Sequence, residues 1–549
     1  MNMRLFMAVL AWGLVASSAH GQDVFLKNVN GYTLQDGSLQ RFDALLVRDG
    51  KVQAAGSAAL LEPYAKAGTV RDMGGKTVLP GFIDSHAHVT AYGQNLVRID
   101  LRPATSLTAA LEIIVAQLPK RGWVLGGGWN QENWDERVFP SALALDAVTG
   151  ERPAALTRVD GHALWVNTAA LSAAGITAST PDPAGGRIER NADGTATGIL
   201  VDAAMGLVTA ILPQPDTAQT VMAISRAAKA LNAHGVTMVH DAGVTPDQWF
   251  AMRQLADEKA LPIRIYAMIA GLGEAYDVLS SLRPIASANE DRLMLRAVKL
   301  YADGALGSRG AALKSDYADQ PGNKGLLFED PTALRNKIAR GLLRGYQINI
   351  HAIGNAANSQ VVSAFKDVLA IAGTNGRHRI EHVQVIDAED RARMAALGLI
   401  ASIQPIHATS DRLMAMQRLD EETIKGAYAY RAMADSGIAL AAGSDVPVEP
   451  PNPFLGMLAA VARVDARGEP KGGWRLDDAL SLEQAFTAYT MGGAYAAFME
   501  NRLGSLEPRK WADFVVVDRD IFAIAPKDLG KTRVLETWVA GERVFALKK

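Results

Sequence analysis

The run Val78-Leu79-Pro80-Gly81-Phe82-Ile83-Asp84-Ser85-His86-Ala87-His88 constrains this chain more than any other stretch. Val78, Leu79, Phe82 and Ile83 read as a buried strand carrying a Pro-Gly turn signal. Residues two apart on a strand project from the same face. His86 and His88 at its end therefore present two imidazoles to one side, a pair able to grip one metal ion. Taken alone, an H-x-H pair reads equally well as surface or core histidines. The balance shifts because other potential ligands recur at the ends of apolar runs downstream.

Those runs are Val236 to His240, Ile263 to Met268, Ala297 to Tyr301, Gln347 to His351, Arg379 to His382, Leu399 to Ile403 and Ile438 to Ala442. Helical stretches separate them, the pattern of βα units. Together with Val78 to Ile83 they supply the strands of a (β/α)8 barrel, so the expected fold is α/β with a TIM-type barrel at 78–504. Both ends of the chain read instead as short strands and turns. Val24 to Asn28, Ala44 to Arg48 and Lys51 to Ala55 answer Asp513 to Asp518 and Val534 to Val539. They predict a composite β-sandwich from 22–77 and 505–549. Residues 95–230 are surplus between the first two barrel strands and are expected to form an inserted subdomain over the barrel mouth.

The 549 residues, 49% hydrophobic and 21% charged, are ample for a large core. A net charge of -2 lends no support to a nucleic-acid partner. The absence of cysteine excludes disulfides, thiolate zinc sites and cysteine nucleophiles. At the N-terminus Arg4, the apolar run Leu5 to Val15 and the small-residue end Ala19-His20-Gly21 predict a secretory signal over 1–21. That run is too short for a permanent anchor, so no stable membrane insertion is expected after cleavage. The expected location is outside the cytoplasm, periplasmic in a two-membrane cell and secreted otherwise.

Barrel enzymes place chemistry at the C-terminal ends of their strands. Here those ends carry His86, His88, Lys299, His351, His382 and Asp445. Imidazole and carboxylate suit zinc and accept manganese, iron or cobalt. Four imidazoles and a carboxylate exceed the needs of one catalytic zinc, and two metals need a bridging anion. Each residue also has a plainer reading. His351 fits a hydrogen-bonded core histidine, His382 a surface residue pairing with Glu381, and Asp445 a helix cap or turn residue. Lys299 is harder to explain away, because a lysine inside an apolar run must snorkel or lower its pKa. A buried neutral amine is reactive, including toward carbon dioxide.

The chain resembles the amidohydrolase superfamily and, within it, the YtcJ-like branch. The resemblance spans nearly all of the mature chain. It rests on Leu79 to His88, on Asp160-Gly161-His162-Ala163-Leu164-Trp165-Val166-Asn167 and on Val298 to Arg309. His351-Ala352-Ile353-Gly354, Arg379-Ile380-Glu381-His382-Val383-Gln384 and Gly443-Ser444-Asp445-Val446-Pro447-Val448 complete it. Asn355 departs from the branch, which often has Asp there. The resemblance implies a metal centre hydrolysing amide-like, non-peptide C–N bonds of a small molecule. It implies that His86 and His88 bind a first metal, His351 and His382 a second, and a carboxylated Lys299 bridges them. Asp445 would be both ligand and proton-transfer group.

A metal lowers the pKa of water from about 15.7 to near 7, so no Ser, Cys or Lys nucleophile is required. His162, oriented by Asp160, is the expected oxyanion donor from the insertion, with a structural Asp-His pair as the alternative. Asp303 and Arg309 follow the Lys299 strand and are expected to face the mouth and touch substrate, with a loop salt bridge as the alternative. Trp129 is placed against the substrate, with core packing as the alternative for it and for Trp134. His234, His240, His378 and His407 are read as structural. Hydrolysis of an ester, a lactone or a ring C–N bond on the same site, and an inactive binding protein, are the competing functions. A homo-oligomer is compatible with all three.

Overall fold

The computed structural model describes residues 23–548 apart from 67, 132–133, 159–162, 184–185, 214 and 374–375. The expected signal segment and the pair Asp160 and His162 lie outside the described residues. The barrel strands are β1 (Phe82–Ala87), β2 (Val236–Val244), β3 (Arg264–Ala270), β4 (Leu293–Tyr301), β5 (Gln347–Ala352), β6 (Arg379–His382), β7 (Ile400–Ile403) and β8 (Leu440–Ala442). They pair in parallel in that order. A parallel bridge from Ala87 to Val446 brings the end of the series back to β1. The sheet is thus a nearly closed eight-stranded barrel.

The first strand differs from the sequence reading. Val78 and Leu79 belong to a separate strand, Thr77–Pro80, which pairs with Phe514–Val517 in the outer sheet. The chain then crosses into the barrel at Gly81, where a Cβ would lie 2.3 Å from the Thr237 hydroxyl. The Pro-Gly signal marks a change of sheet, and only a residue without a side chain fits the crossing.

The outer sheet joins both termini. Val24–Gln35, Ser38–Arg48, Lys51–Gly56, Val70–Asp72 and Thr77–Pro80 combine with Phe514–Val517, Val534–Val539 and Glu542–Ala546. Leu26, Leu45, Val78, Phe514 and Trp538 share its core, and the Phe514 and Trp538 rings stack at 5.1 Å. Arg264 of β3 is fully buried against Asp513, donating to it at 2.7 and 2.9 Å, and so ties this sheet to the barrel.

Residues between β1 and β2 build a sheet of their own, Ile99–Asp100, Val124–Trp129, Ala154–Arg158, Ala163–Val166, Ala196–Asp202 and Gly186–Arg190. The helix Thr217–Ala233, which the sequence placed inside this insertion, instead packs Ile224, Ala227 and Leu231 on the barrel core. Asp216 and Gln219 close its N-terminus as a reciprocal cap. Inside the barrel, Ile83, Met238, Tyr266, Met268 and Met294 pack with Ala494, Met499 and Leu503. Among the described residues no helix is long and apolar enough to cross a membrane.

Candidate metal centre

Six predicted ligands come from five barrel strands, and the structure gathers them at the strands' C-terminal ends. His86, His88 and Asp445 each offer a ligand atom within 4.8 Å of those of the other two. Asp445 Oδ1 is 3.2 Å from His88 Nε2 and 3.6 Å from His86 Nε2. The His382 ring stands 4.7 Å from His86 and 4.5 Å from His351, centroid to centroid. Lys299 Nζ reaches to 3.2 Å from His86 Nε2.

Local backbone makes the convergence possible. His382 directly follows Glu381, so a regular pleat would send the two side chains to opposite faces. A φ of 77° at His382 breaks the pleat, and Asp445 has a φ of 60°. Backbone bonds then lock β1 to the segment after β8: Asp445 N donates to His86 O at 2.7 Å and His88 N to Val446 O at 2.8 Å. Gly443 lies against β1, where a Cβ would come within 2.5 Å of the His86 backbone nitrogen.

Burial sets the protonation. It holds the His86 imidazole far below its usual value, helped by the nearby Lys299, and does the same to His382 with help from His351. Burial and Lys299 bring His351 down to about 4. Burial pushes the Lys299 amine down to about 8. For Asp445 burial acts upward, but His86 and His88 together outweigh it and keep the carboxyl ionised. Neutral imidazoles and an anionic carboxylate are the states that metal ligation requires.

These donors fit a divalent metal. Among the described residues, buried Asp445 Oδ1 has no donor in hydrogen-bonding geometry, an expensive arrangement unless a cation completes it. The supporting contacts fit as well. Glu381 Oε2 accepts from His86 Nδ1 at 2.5 Å, which leaves Nε2 free as a ligand atom. Gln404 Oε1 lies 2.7 Å from His382 Nδ1 and does the same there. Glu381 was expected beside a surface His382; both are buried, and its partners are His86 and Arg379. Arg379 Nε is 2.8 Å from Glu381 Oε1, inside a core where both are fully buried.

Other predicted residues fall elsewhere. Asp303 is buried, and its oxygens accept from the backbone of Ala312, Ile353 and Gly354. It pins the loops after β4 and β5 and lies 3.6 Å from His351 Nε2. Arg309 forms the loop salt bridge, at 2.7 Å from Asp319. Trp129 is fully buried, donating to Leu156 O at 2.7 Å and packing on Trp134 and Trp165. It belongs to the insertion's aromatic core, because its apolar surface is worth more there than at a wet mouth. His240 and His378 are internal: Arg379 donates to His240 Nδ1 at 2.8 Å, and Ile348 N to His378 Nδ1 at 3.0 Å.

Sequence reasoning gave three residues no role at the centre. Arg379 and Glu381 sit two apart on the short strand Arg379–His382, a spacing that puts both on one face. His407 follows β7 closely, and its ring stacks on His382 at 6.2 Å.

Residues 69–545 match the model of the amidohydrolase family. The putative amidohydrolase YtcJ of Bacillus subtilis is 32% identical over 92% of this chain and 96% of its own length. The N-substituted formamide deformylase of Arthrobacter pascens is 29% identical over 95% of this chain and 98% of its own. Among solved structures, an uncharacterized metal-dependent hydrolase of Pyrococcus horikoshii superposes with a TM-score of 0.78 at 27% identity. That match covers 92% of this chain and 99% of the other.

Proposed function

The chain belongs to the amidohydrolase family and is a metal-dependent hydrolase of carbon–nitrogen bonds, and we propose that it frees an amine from a small N-substituted amide with Asp445 moving the proton. The observation that carries this reading is the meeting of His86 and His88 with Asp445 Oδ1, the last without a donor in hydrogen-bonding geometry among the described residues. The kinship with a formamide deformylase supports an N-substituted formamide as the first substrate class to try.

His86, His88 and Asp445 would hold a divalent ion, zinc by ligand type, with manganese, iron or cobalt compatible with the same donors. Such an ion, when bound, supplies a water of lowered pKa and polarises the scissile carbonyl. The remaining work falls to the chain. Asp445 takes a proton from the attacking water and returns it to the departing nitrogen, so amide and water become carboxylic acid and amine. General acid–base work of this kind contributes roughly 10²–10⁴-fold. Glu381 fixes the ring of His86, and Gln404 that of His382. Tyr301, exposed and 5.4 Å from the His351 ring, offers an apolar face to the substrate's substituent.

His351 and His382 are proposed to hold a second ion. The Lys299 amine would add to carbon dioxide with loss of one proton, giving the carboxylate that bridges the two. Its pKa, pushed down to about 8 by burial, leaves enough free amine for that addition. The insertion is proposed to cover the mouth and set specificity. In support, Arg102 of the insertion is held in its charged state by Asp100 and, more weakly, by Glu449, four residues after Asp445. Export by cleavage after Gly21 completes the reading, and mass spectrometry of the mature N-terminus in the native host tests it.

The experiment is a panel of N-substituted formamides, larger amides, esters and lactones, run on protein stripped of metal and reloaded with zinc. Metal-dependent release of amine supports the proposal. Turnover of esters or lactones alone would replace it with a carbon–oxygen hydrolase, and bound metal without any turnover would point to a binding protein.

A further inference from the structure

We propose that His407 is a further catalytic residue, donating a hydrogen bond from Nε2 to the oxygen that gains negative charge as the C–N bond is hydrolysed. The inference rests on the reaction proposed above and adds a group to it. His407 opens the short helix His407–Ser410 just beyond β7, at the barrel end that carries the metal centre. Its ring is 6% exposed and lies against His382 with the planes 23° apart.

The neighbours of His407 fix its tautomer. Gln384 Nε2 is 3.1 Å from His407 Nδ1 and 3.5 Å from Asp411 Oδ2. Asp411 also accepts from the Tyr428 hydroxyl at 2.8 Å. A carboxylate only accepts. Turning the Gln384 amide over would set its carbonyl oxygen against that anion, so the NH2 group must face both Asp411 and His407. His407 Nδ1 is then an acceptor, and the ring proton sits on Nε2. That Nε2 is buried with no acceptor among the described residues. A buried donor left in this state costs about 1–3 kcal/mol, a cost relieved when a substrate oxygen arrives.

One orphan answers the other. Among the described residues, buried Asp445 Oδ1 has no donor in hydrogen-bonding geometry and buried His407 Nε2 has no acceptor. The two groups belong to one cluster: His407 stacks on His382 at 6.2 Å, His382 stands 4.7 Å from His86, and Asp445 Oδ1 is 3.6 Å from His86 Nε2. An amide complements the pair, its oxygen accepting from His407 and its nitrogen receiving the proton from Asp445. As water's oxygen bonds to the carbonyl carbon, the π pair moves onto the carbonyl oxygen facing Nε2. That pair returns as the C–N bond breaks and nitrogen takes its proton. His407 lends a hydrogen bond throughout and transfers no proton.

The test compares H407F, which keeps a buried ring but no donor, with H407Q, which keeps a donor. Loss of one oxyanion donor costs roughly 10²–10³ in kcat. H407F should lose that much with KM within threefold and metal content unchanged, and H407Q should recover part of it. A second readout needs no turnover. A phosphonamidate analogue of the amide carries the tetrahedral, anionic oxygen, and calorimetry should find it bound at least tenfold more weakly by H407F. Wild-type kcat and phosphonamidate affinity in H407F would overturn the proposal. Activity of H407F restored by extra metal, or no phosphonamidate binding to the wild type, would overturn it too. If the wild type cleaves no amide, the proposed reaction fails while the phosphonamidate comparison still decides the role of His407.

Discussion

Replacing Glu381 by glutamine probes the support beneath the metal centre, and the structure sets the size of the effect. The Glu381 carboxylate has two duties: Oε2 accepts from His86 Nδ1 at 2.5 Å, and the anion neutralises Arg379 at 2.8 and 3.1 Å. Both side chains are fully buried. A glutamine can perform neither duty fully. With its oxygen toward His86, its NH2 faces the guanidinium. With its NH2 toward His86, Nδ1 must accept, and the ring proton moves to Nε2, where the metal should be. Removing one member of a buried ion pair costs about 3–5 kcal/mol. Loss of a group that orients a ligand weakens metal binding roughly 10–100-fold, equivalent to about 1.4–2.8 kcal/mol. The assay pairs urea midpoints of metal-free protein with chelator competition for zinc. The double variant R379M/E381L separates the two duties. Removing both charges should recover much of the lost stability, yet metal binding should stay weak because His86 remains unoriented. Zinc affinity at the wild-type level in E381Q, or full recovery of affinity in the double variant, would refute the reasoning.

Three other outcomes follow from the geometry. K299A should lose activity and regain part of it with acetate or propionate plus metal, since a short carboxylate can stand in for a carbamate; rescue by small amines instead would show that Lys299 acts as a charge. His378, stacked on Phe365 at 5.3 Å and accepting from Ile348 N, is held by burial at about 4. Its neutral form is favoured only when folded, so its contribution is complete above pH ~6.5 and lost as pH falls toward 4, about 3 kcal/mol in all. Urea midpoints against pH should therefore fall more steeply for the wild type than for H378Q, and parallel curves would contradict this. G443A places a Cβ 2.5 Å from the His86 backbone nitrogen and 2.7 Å from Asp84 Oδ1. It should weaken zinc binding by at least tenfold in the same chelator assay, and unchanged affinity would mean that the β8 loop yields without moving the ligands.

The barrel was legible because its strands end in ligand-type residues at a recurring place, and β2 to β8 fall where the apolar runs do. The first strand was misplaced by a few residues for a local reason. Val78 and Leu79 are as apolar as Phe82 and Ile83, and nothing in the pattern says that Gly81 hands the chain from one sheet to another. The residues that gather at the centre were legible; their supports were less so. Glu381 reads as the natural partner of adjacent His382, but its side chain points to His86, almost three hundred residues earlier in the chain, a contact created only by barrel closure. Trp129 reads either as a pocket or as a core residue because aromatic rings suit both, and only packing against Trp134 and Trp165 decides. Asp303 was placed at the mouth by its position after β4. The three backbone donors that hold it come from a loop geometry that no side-chain pattern encodes.

The most direct test is amine release from an N-substituted formamide by zinc-loaded wild type and D445N, with metal content measured on both. An amide at position 445 cannot take a proton from water, so D445N should lose at least a hundredfold in kcat while zinc held by the histidines remains measurable. Amine release at the wild-type rate by D445N, or release by wild type that does not depend on metal, would contradict a metal-dependent mechanism with Asp445 as its proton carrier.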